Sequence, residues 1–162
     1  MNALKFLLGT GFYSGLIPKA PGTAGSIAAL LLIFGIIIYA QSYLFLILFL
    51  IISSLCSVWV ASYFEHNFGK DPAKMVIDEW AGQVLTFVTI SFAGDLHSDI
   101  IILLTGFILF RFFDILKPLG INKVQNFGRG FGILADDLLA GLYALICLKT
   151  LIFMWPNLFG MA

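Results

Sequence analysis

Acidic residues stand side by side at two places in this sequence, Asp78-Glu79 and Asp136-Asp137, and each pair interrupts a long apolar run. A fifth acid, Asp114, lies within another apolar run. Grouped carboxylates can hold a hard cation such as Mg²⁺, which takes one or two carboxylates together with waters and phosphate oxygens. A site that binds phosphate and activates water is the chemistry that these residue types suggest.

Arg111 and Lys117 flank Asp114 at intervals of three residues, so a helix would place all three on one face. A structural ion-pair ladder and a phosphate-binding stripe both explain this spacing. An ionised side chain at the bilayer centre costs about 2.5–3.5 kcal/mol on insertion scales, so such residues need pairing, water or a metal ion. For Asp136 the plain structural alternative is a place in the first helical turn, where it complements the helix dipole.

A glycine- and proline-rich stretch, residues 9–26, precedes the first long apolar run. Its prolines stop any helix before Pro21, and Gly22-Thr23 are predicted to supply a turn and an N-cap for the helix that follows. Backbone N–H groups at a helix start suit phosphate, which makes Thr23 and the nearby Lys19 candidate phosphate-binding residues. The stretch is no Walker loop, because the Gly-Lys-Ser/Thr ending is absent. A plain turn and cap is the alternative.

A second glycine-rich segment, residues 128–132, leads into the helix that carries the second acidic pair. Gly141, four residues after Asp137, is predicted to serve tight helix packing. The sequence contains no aspartyl-nucleophile motif, no serine nucleophile elbow and no histidine phosphatase signature, and His66 and His97 are isolated from the acidic clusters. Attack by metal-activated water is the mechanism that remains.

The composition indicates which elements must position these residues. Of 162 residues, 60% are hydrophobic and 11% charged, and the mean hydropathy is +1.02. Soluble domains carry about 45–50% apolar and about 25% charged residues, so lipid must solvate part of this surface. The length predicts one domain, residues 1–162. Nine basic and nine acidic residues leave no basic footprint for nucleic acid.

Residues 24–40 and 43–64 carry no charge and are long enough to cross a bilayer, and only Gln41-Ser42 joins them as a tight hairpin. Three further runs are apolar apart from the acids and bases above and Lys149: residues 76–93, 100–118 and 133–155. We therefore predict an all-α fold, a polytopic membrane helical bundle with about five transmembrane helices. A short N-terminal helix over residues 2–12 completes the prediction.

Seven of the nine basic residues lie in alternate connections and their flanks: Lys5, Lys19, Lys70, Lys74, Lys117, Lys123 and Arg129, whereas Arg111 and Lys149 lie within apolar runs. The opposite connections, Gln41-Ser42 and residues 94–98, contain no Lys or Arg. The positive-inside tendency then places the N-terminus and the two long connections in the cytoplasm and the C-terminus outside. The chemically distinctive segments should converge at the cytoplasmic face: residues 18–26, 78–79, 111–117 and 128–137.

Four stretches together resemble the phosphatidylglycerophosphatase A family of bacterial membrane phosphatases. They are GTGFYSGLIPKAPGTAGS at 9–26, DPAKMVIDEWAGQ at 71–83, FRFFDILKPLGI at 110–121 and GRGFGILADDLLAGLYA at 128–144. They follow the family's order along most of the chain. Gly120 stands where the family's Lys-Pro-x-Pro element carries a proline.

The resemblance implies Mg²⁺-dependent hydrolysis of phosphatidylglycerophosphate to phosphatidylglycerol and inorganic phosphate, as a step in phospholipid biosynthesis. It implies a multi-pass protein of the bacterial inner (cytoplasmic) membrane, whose active site faces the cytoplasm and whose lipid substrate stays in the bilayer. It also implies a helical bundle, since soluble relatives are built as six helices around a central one.

Carried over position by position, the resemblance implies five catalytic carboxylates: Asp78, Glu79, Asp114, Asp136 and Asp137. Within this set we hypothesise that Glu79, Asp114 and Asp137 bind Mg²⁺, while Asp78 or Asp136 orients the attacking water as a base. The substrate phosphate would be held by four further residues: Lys19, Thr23, Arg111 and Lys117.

Three other functions are compatible with intramembrane charges. A transporter or channel is the main alternative, although the charges lie at one face and the outer halves of the helices are apolar. A lipid-headgroup transferase would also use acids and Mg²⁺, but the Asp-Gly-x-x-Ala-Arg signature of the common family is absent. A non-catalytic assembly subunit would tolerate loss of Glu79 or Asp137.

Overall fold

The computed structural model describes residues 2–40, 42–69, 72–118, 120–124 and 130–161, and within them it contains helices and no strand. The helices are α1 (Asn2–Gly9), α2 (Pro21–Gly35), α3 (Tyr43–Phe68), α4 (Ile77–Leu85), α5 (Leu96–Leu116), α6 (Ile121–Val124) and α7 (Phe131–Met154). Short 3₁₀ turns cover Ser14–Leu16 and Pro156–Phe159. The predicted all-α fold is confirmed.

Three of these segments are long and apolar enough to cross a membrane: Pro21–Ala40, Tyr43–Phe68 and Phe131–Met154. The first consists of α2 and a π-helical turn, Ile36–Ala40, that continues it. Large apolar side chains on α2 and α3 point away from the protein, as Leu31 and Leu55 do, each 66% exposed. Water would penalise such a surface and lipid does not, so the chain is a membrane protein.

Helix α5 has 21 residues, about 32 Å of helix, and carries Asp99, Arg111 and Asp114. It begins before the predicted start at residue 100, because the carboxylate of Asp95 caps it by accepting a hydrogen bond from the Ser98 amide at 3.0 Å. Hydrogen bonds from the side chain and backbone of Ser98 lower the pKa of Asp95. A total of five transmembrane helices stays a prediction.

The predicted continuous helix over residues 76–93 is wrong. Helix α4 has nine residues, about 14 Å of helix, and ends at Leu85. The Thr86 hydroxyl donates to the Gly82 carbonyl at 3.1 Å and the Phe87 amide bonds the Val84 carbonyl, three residues back, which tightens and closes the last turn. The chain then continues without regular helix, with Phe87 and Ile90 almost fully buried. Irregular backbone at membrane depth is tolerated where protein surrounds it.

Helix α4 is the central element of the bundle. It packs against α2, α3, α5 and α7, and most of its side chains are buried. A Cβ on Gly82 would lie 2.6 Å from the Phe110 ring and 3.0 Å from the Asp137 carbonyl carbon, and one on Gly141 would lie 3.0 Å from the Gly82 carbonyl carbon. Because only glycine allows this approach of α4 to α7, the predicted packing role of Gly141 is confirmed. The central helix expected from the resemblance is also present.

The alternating path of the chain gives the bundle two different ends. Ser42, Gly94 and Asp99 line one cavity, so the two connections without basic residues meet at one end. At the other end the Gly9 carbonyl accepts a hydrogen bond from the Val76 amide at 2.9 Å, which joins α1 to the start of α4. The distinctive acidic and glycine-rich segments lie at this second end.

Some residues used in the sequence predictions are not covered. Gln41, Lys70, Asp71, Leu119 and residues 125–129 lie outside the described residues, as does the side chain of Lys123. Gly120 has φ +91°. Proline is fixed near φ −65°, so the backbone here differs from the one that a proline would require.

Candidate active site

The first turn of α4 carries Asp78 and Glu79, where the exposed N–H groups and the helix dipole favour negative charge. Asp78 is 4% exposed, and its Oδ1 has no hydrogen-bond partner among the described residues. The Glu79 side chain is 15% exposed. The acids therefore lie beneath the surface of the bundle end and are not solvated surface charges.

Helix α2 supplies the surface against which Glu79 packs. The Ser26 hydroxyl donates to Glu79 Oε2 at 3.2 Å. One turn earlier, a Cβ on Gly22 would lie 2.9 Å from the Glu79 carboxyl carbon. Because Gly22 has no side chain, the carboxylate can approach the backbone at the start of α2, where the helix dipole again favours an anion.

Arg111 on α5 joins three elements through one nitrogen. Its Nη1 lies 3.2 Å from Glu79 Oε2, 3.2 Å from the Ser26 hydroxyl and 2.6 Å from Asp114 Oδ2. The Arg111–Asp114 pair has the i, i+3 spacing that the sequence predicted. The Arg111 side chain is 14% exposed, and its Nε has no hydrogen-bond partner within the described part of the chain.

Lys117 does not extend the Arg111–Asp114 stripe along the helix. It caps α5 in a left-handed conformation, φ 45°, and its ammonium group pairs with the Asp136 carboxylate. Burial lowers the pKa of Lys117, but the hydrogen bond and the charge of Asp136 outweigh this effect and raise it. Lys117 therefore connects α5 to α7 as a stable cation.

The structural alternative for Asp136, a place in the first helical turn, is wrong. Helix α7 begins at Phe131, so Asp136 and Asp137 lie in its second turn. The helix starts early because Gly130 takes a left-handed conformation, φ +73°, against Ala61 of α3. Asp136 and Asp137 are only 2% and 4% exposed, and a buried position replaces the predicted interfacial one.

Electrostatic interactions join all the acids into one cluster. Asp137 interacts with Asp114, Asp78, Glu79 and Asp136, and Asp78 interacts with Glu79 and Asp136. Five carboxylates thus lie at one end of the bundle with two basic side chains, and three of them form ion pairs: Glu79 and Asp114 with Arg111, and Asp136 with Lys117. Like charges in a poorly solvated volume repel strongly, so the cluster is suited to bind further positive charge.

The donor chemistry of the cluster fits Mg²⁺, since all its acids offer hard oxygen ligands. Among the described residues, no three His, Cys, Asp or Glu side chains are already arranged as a group that could hold a metal ion. Glu79 and Asp114 contact Arg111 instead. Mg²⁺ needs only one or two carboxylates besides water and phosphate, so a full protein cage is not required. The ligand set Glu79, Asp114 and Asp137 stays a prediction.

The two candidates from the glycine-rich stretch are not equally placed. Thr23 is half-buried in the first turn of α2, next to Gly22. Its predicted N-cap role is wrong, because α2 begins at Pro21 with Ala20 as the N-cap residue. Lys19 is exposed, and no described contact joins it to the acidic cluster. The phosphate-binding roles of both stay predictions.

Ser26 is the site residue that the sequence reasoning missed. It ends the glycine-rich stretch, is fully buried, and bridges Glu79 and Arg111. Its spacing from Gly22, four residues on one helical face, was the available signal. Serine is common near helix starts, so the sequence alone does not distinguish Ser26 from an ordinary turn residue.

Comparison with known proteins gives the family. The model of the family described as phosphatidylglycerophosphatase A matches residues 7–152. A Haemophilus influenzae phosphatidylglycerophosphatase A is 40% identical over 148 residues, which are 86% of this chain and 83% of the relative. An Escherichia coli phosphatidylglycerophosphatase A is 31% identical over 156 residues, 93% of this chain and 84% of the relative.

A Bacteroides thetaiotaomicron protein, named as a proposed phosphatidylinositol-3-phosphatase, is 35% identical over 155 residues, 91% of this chain and 92% of the relative. No solved structure matches the chain. The family match spans every element of the acidic cluster, from Gly22 on α2 to Asp137 on α7. The chain belongs to the phosphatidylglycerophosphatase A family.

Proposed function

We propose that this protein hydrolyses phosphatidylglycerophosphate to phosphatidylglycerol and inorganic phosphate at the cytoplasmic face of a bacterial inner membrane. The proposal rests on one combined observation. A chain that belongs to this family holds five carboxylates and two basic side chains together at one end of its helical bundle. The reaction needs a phosphate monoester, a water to attack it, a carboxylate to accept a proton and positive charge to offset that of the phosphate.

Arg111 is the residue best placed to bind the substrate phosphate. Its guanidinium group already joins Glu79 and Asp114, and its buried Nε has no acceptor among the described residues. A phosphate oxygen would supply that acceptor, and charge-assisted hydrogen bonds of this kind are among the stronger ones in proteins. Lys117 adds a second positive charge from the end of the same helix.

Asp78 is the better candidate for the base, because Asp136 is held in an ion pair with Lys117, whereas no ion pair involves Asp78 among the described residues. In the reaction, a water oxygen bonds to phosphorus while the bond from phosphorus to the lipid oxygen breaks. A carboxylate accepts one proton from the water and returns one proton to the departing lipid oxygen, which leaves as an alcohol. Asp136 pairs with Lys117 and would orient the ammonium group of Lys117 toward the substrate phosphate.

Mg²⁺ held by Glu79, Asp114 and Asp137 would offset the negative charge on the phosphoryl oxygens and would lower the pKa of a bound water. For these acids to be available, Arg111 must transfer part of its hydrogen bonding to the phosphate. The shared position of Arg111 between two acids supports such an exchange.

The test uses the purified protein in detergent micelles that contain phosphatidylglycerophosphate. We expect phosphate release with Mg²⁺, none with excess EDTA, and recovery when Mg²⁺ is restored. Glu79→Gln and Asp114→Asn should lower kcat about a hundredfold or more. His97→Ala, an exposed residue at the opposite end, is the control and should retain activity. Phosphate release that survives both acid substitutions would defeat the metal-site assignment.

Phosphatidylinositol-3-phosphate should be assayed in parallel, because one relative is named for that substrate. Both lipids carry a phosphate monoester on a headgroup, so the same cluster could act on either. We expect a higher kcat/KM for phosphatidylglycerophosphate, in keeping with the family and two relatives. The reverse preference would change the proposed substrate to phosphatidylinositol-3-phosphate, while the proposed phosphatase reaction would remain the same.

A further inference from the structure

An apolar groove opens beside the acidic cluster, between the loop after α1 and the face of α2. Its volume is about 620 Å³, and its lining includes Gly11, Phe12, Ala28, Leu31, Leu32 and Trp80. Leu31 and Leu32 are 66% and 47% exposed, so the groove opens sideways toward lipid. Nothing in the phosphate chemistry described above uses this groove.

The wall of the groove has an unusual backbone. Gly11, Phe12 and Tyr13 take left-handed conformations in succession, with φ 53°, 52° and 71°. Thr10 stabilises them: it is fully buried, and its hydroxyl donates to the Phe6 carbonyl at 2.8 Å and accepts from the Tyr13 amide at 3.2 Å. This turn places the Phe12 ring against the Trp80 ring, with centroids 6.0 Å apart. Such conformations in non-glycine residues cluster at functional sites.

Trp80 gives the groove a buried polar donor. The residue is 4% exposed, and its Nε1 has no hydrogen-bond partner in the described part of the chain. The indole edge faces Gly11, where a Cβ would lie 2.9 Å from Nε1. Phe49 packs edge-on against the ring at 5.8 Å between centroids and fixes its position. A buried indole N–H normally has an acceptor, so Trp80 Nε1 is suited to donate to an oxygen of a ligand in the groove.

The groove and the acidic cluster lie in a fixed order along α2. Gly22 and Ser26 contact Glu79 near the membrane face, while Ala28 and Leu32 lie roughly 3 and 9 Å further along the helix toward the other face. A glycerolipid phosphate presents its groups in the same order: the phosphate at the surface, then the ester carbonyls, then the acyl chains. Trp80 directly follows Glu79, which places the donor between the two regions.

We propose that this groove binds the acyl ester end of the lipid substrate. An acyl chain packs against Ala28, Leu31 and Leu32, and the Trp80 indole N–H donates a hydrogen bond to an ester carbonyl oxygen. The inference rests on the proposed function and adds to it the part of the substrate that the acidic cluster does not recognise. Trp80 is thus a substrate-binding residue that helps to position the phosphate.

The hydrogen bond is tested with two substrates, diester phosphatidylglycerophosphate and its diether analogue, which lacks the ester carbonyls. In mixed micelles, the unmodified protein should show a KM about three- to tenfold higher for the diether, as loss of one neutral hydrogen bond implies. Trp80→Phe, which keeps a ring but removes the N–H, should give the same KM for both. Discrimination that is absent from the unmodified protein, or unchanged in Trp80→Phe, would overturn the hydrogen bond.

The groove itself is tested by filling it. Ala28→Phe should raise the KM for a long-chain substrate at least about tenfold, with little effect on a substrate carrying two four-carbon chains. Ile27→Phe, on the neighbouring residue that is 45% exposed and outside the groove, is the matched control and should leave both KM values unchanged. If Ala28→Phe behaves like Ile27→Phe, the groove holds bulk lipid and the proposal fails.

The assays distinguish a failure of the proposed function from a failure of the groove proposal. If the unmodified protein releases no phosphate from any of these lipids, the proposed function itself is wrong. If it releases phosphate from all of them with one KM, regardless of chain length and ester linkage, only the groove is wrong.

Discussion

Glu79 lies at the meeting point of three helices, and the close contacts around it explain how so many acids can share one site. Its carboxylate receives hydrogen bonds from Ser26 on α2 and Arg111 on α5, and it approaches the backbone of Gly22. A carboxylate so enclosed cannot move without loss of several partners. The position of Glu79 therefore depends on a residue that carries no charge, Gly22.

Gly22→Ala should displace Glu79 and lower activity at least about tenfold, because 1 Å misplacements at an active site can cost a hundredfold. The added Cβ would lie 2.9 Å from the carboxyl carbon of Glu79, well inside contact distance. The measurement is phosphate release from phosphatidylglycerophosphate, together with the melting temperature in detergent to establish that the fold persists.

Gly35→Ala is the control in the same helix, because a Cβ there would meet nothing within 4 Å. It should retain full activity and gain up to about 1 kcal/mol of helix stability, since alanine is the better helix former. Equal activity in both variants would show that the Gly22–Glu79 contact does not hold the carboxylate in place.

Among the individual residues, the charged members of the site could be predicted from the sequence, whereas the uncharged Ser26 could not. An acid inside an apolar run is costly, so Glu79 and Asp114 were conspicuous. A serine in a membrane helix has little energetic cost compared with a charged residue, so Ser26 gives no such signal. Lys117 was placed on the correct helix, but the left-handed cap that turns it toward Asp136 depends on tertiary contacts.

Helix α4 shows what apolar composition cannot distinguish at the scale of elements. An apolar run such as residues 76–93 is compatible with a spanning helix and equally with a short central helix followed by buried irregular chain. The decisive features are tertiary: the closed last turn at Thr86 and the protein that surrounds Phe87 and Ile90. The lipid-exposed helices α2 and α3 were predicted more accurately, because each must satisfy its backbone hydrogen bonds alone.

Gly141→Ala should separate α4 from α7 and destabilise the bundle by about 1–3 kcal/mol, the usual cost of overpacking a close contact. The new Cβ would press on the backbone of Gly82, which has no flexible side chain to move aside. Thermal unfolding in detergent micelles measures the effect. Leu142→Ala, a neighbour that is 41% exposed on the same helix, should change the melting temperature much less. A melting temperature unaltered by Gly141→Ala would contradict the proposed tight contact.

For the whole molecule, the two ends of the bundle are chemically distinct, and this asymmetry was predictable from the chain path. Each passage reverses direction, so the acidic and basic segments meet at one end even though one passage is only partly helical. The connections at the other end contain no Lys or Arg in residues 41–42 and 94–98. The positive-inside tendency therefore predicts that the acidic cluster faces the cytoplasm.

Thiol labelling of intact cells tests this orientation. The two native cysteines, Cys56 and Cys147, are free and lie within spanning helices, so both are first replaced by alanine. Single cysteines are then introduced at Ala73, exposed in the connection that leads into α4, and at His97, exposed at the opposite end. A membrane-impermeant maleimide should label His97→Cys from outside the inner membrane and Ala73→Cys only after that membrane is opened. The reverse pattern would place the phosphate-handling end outside the cell, because basic connections and acidic cluster share one end and must change sides together.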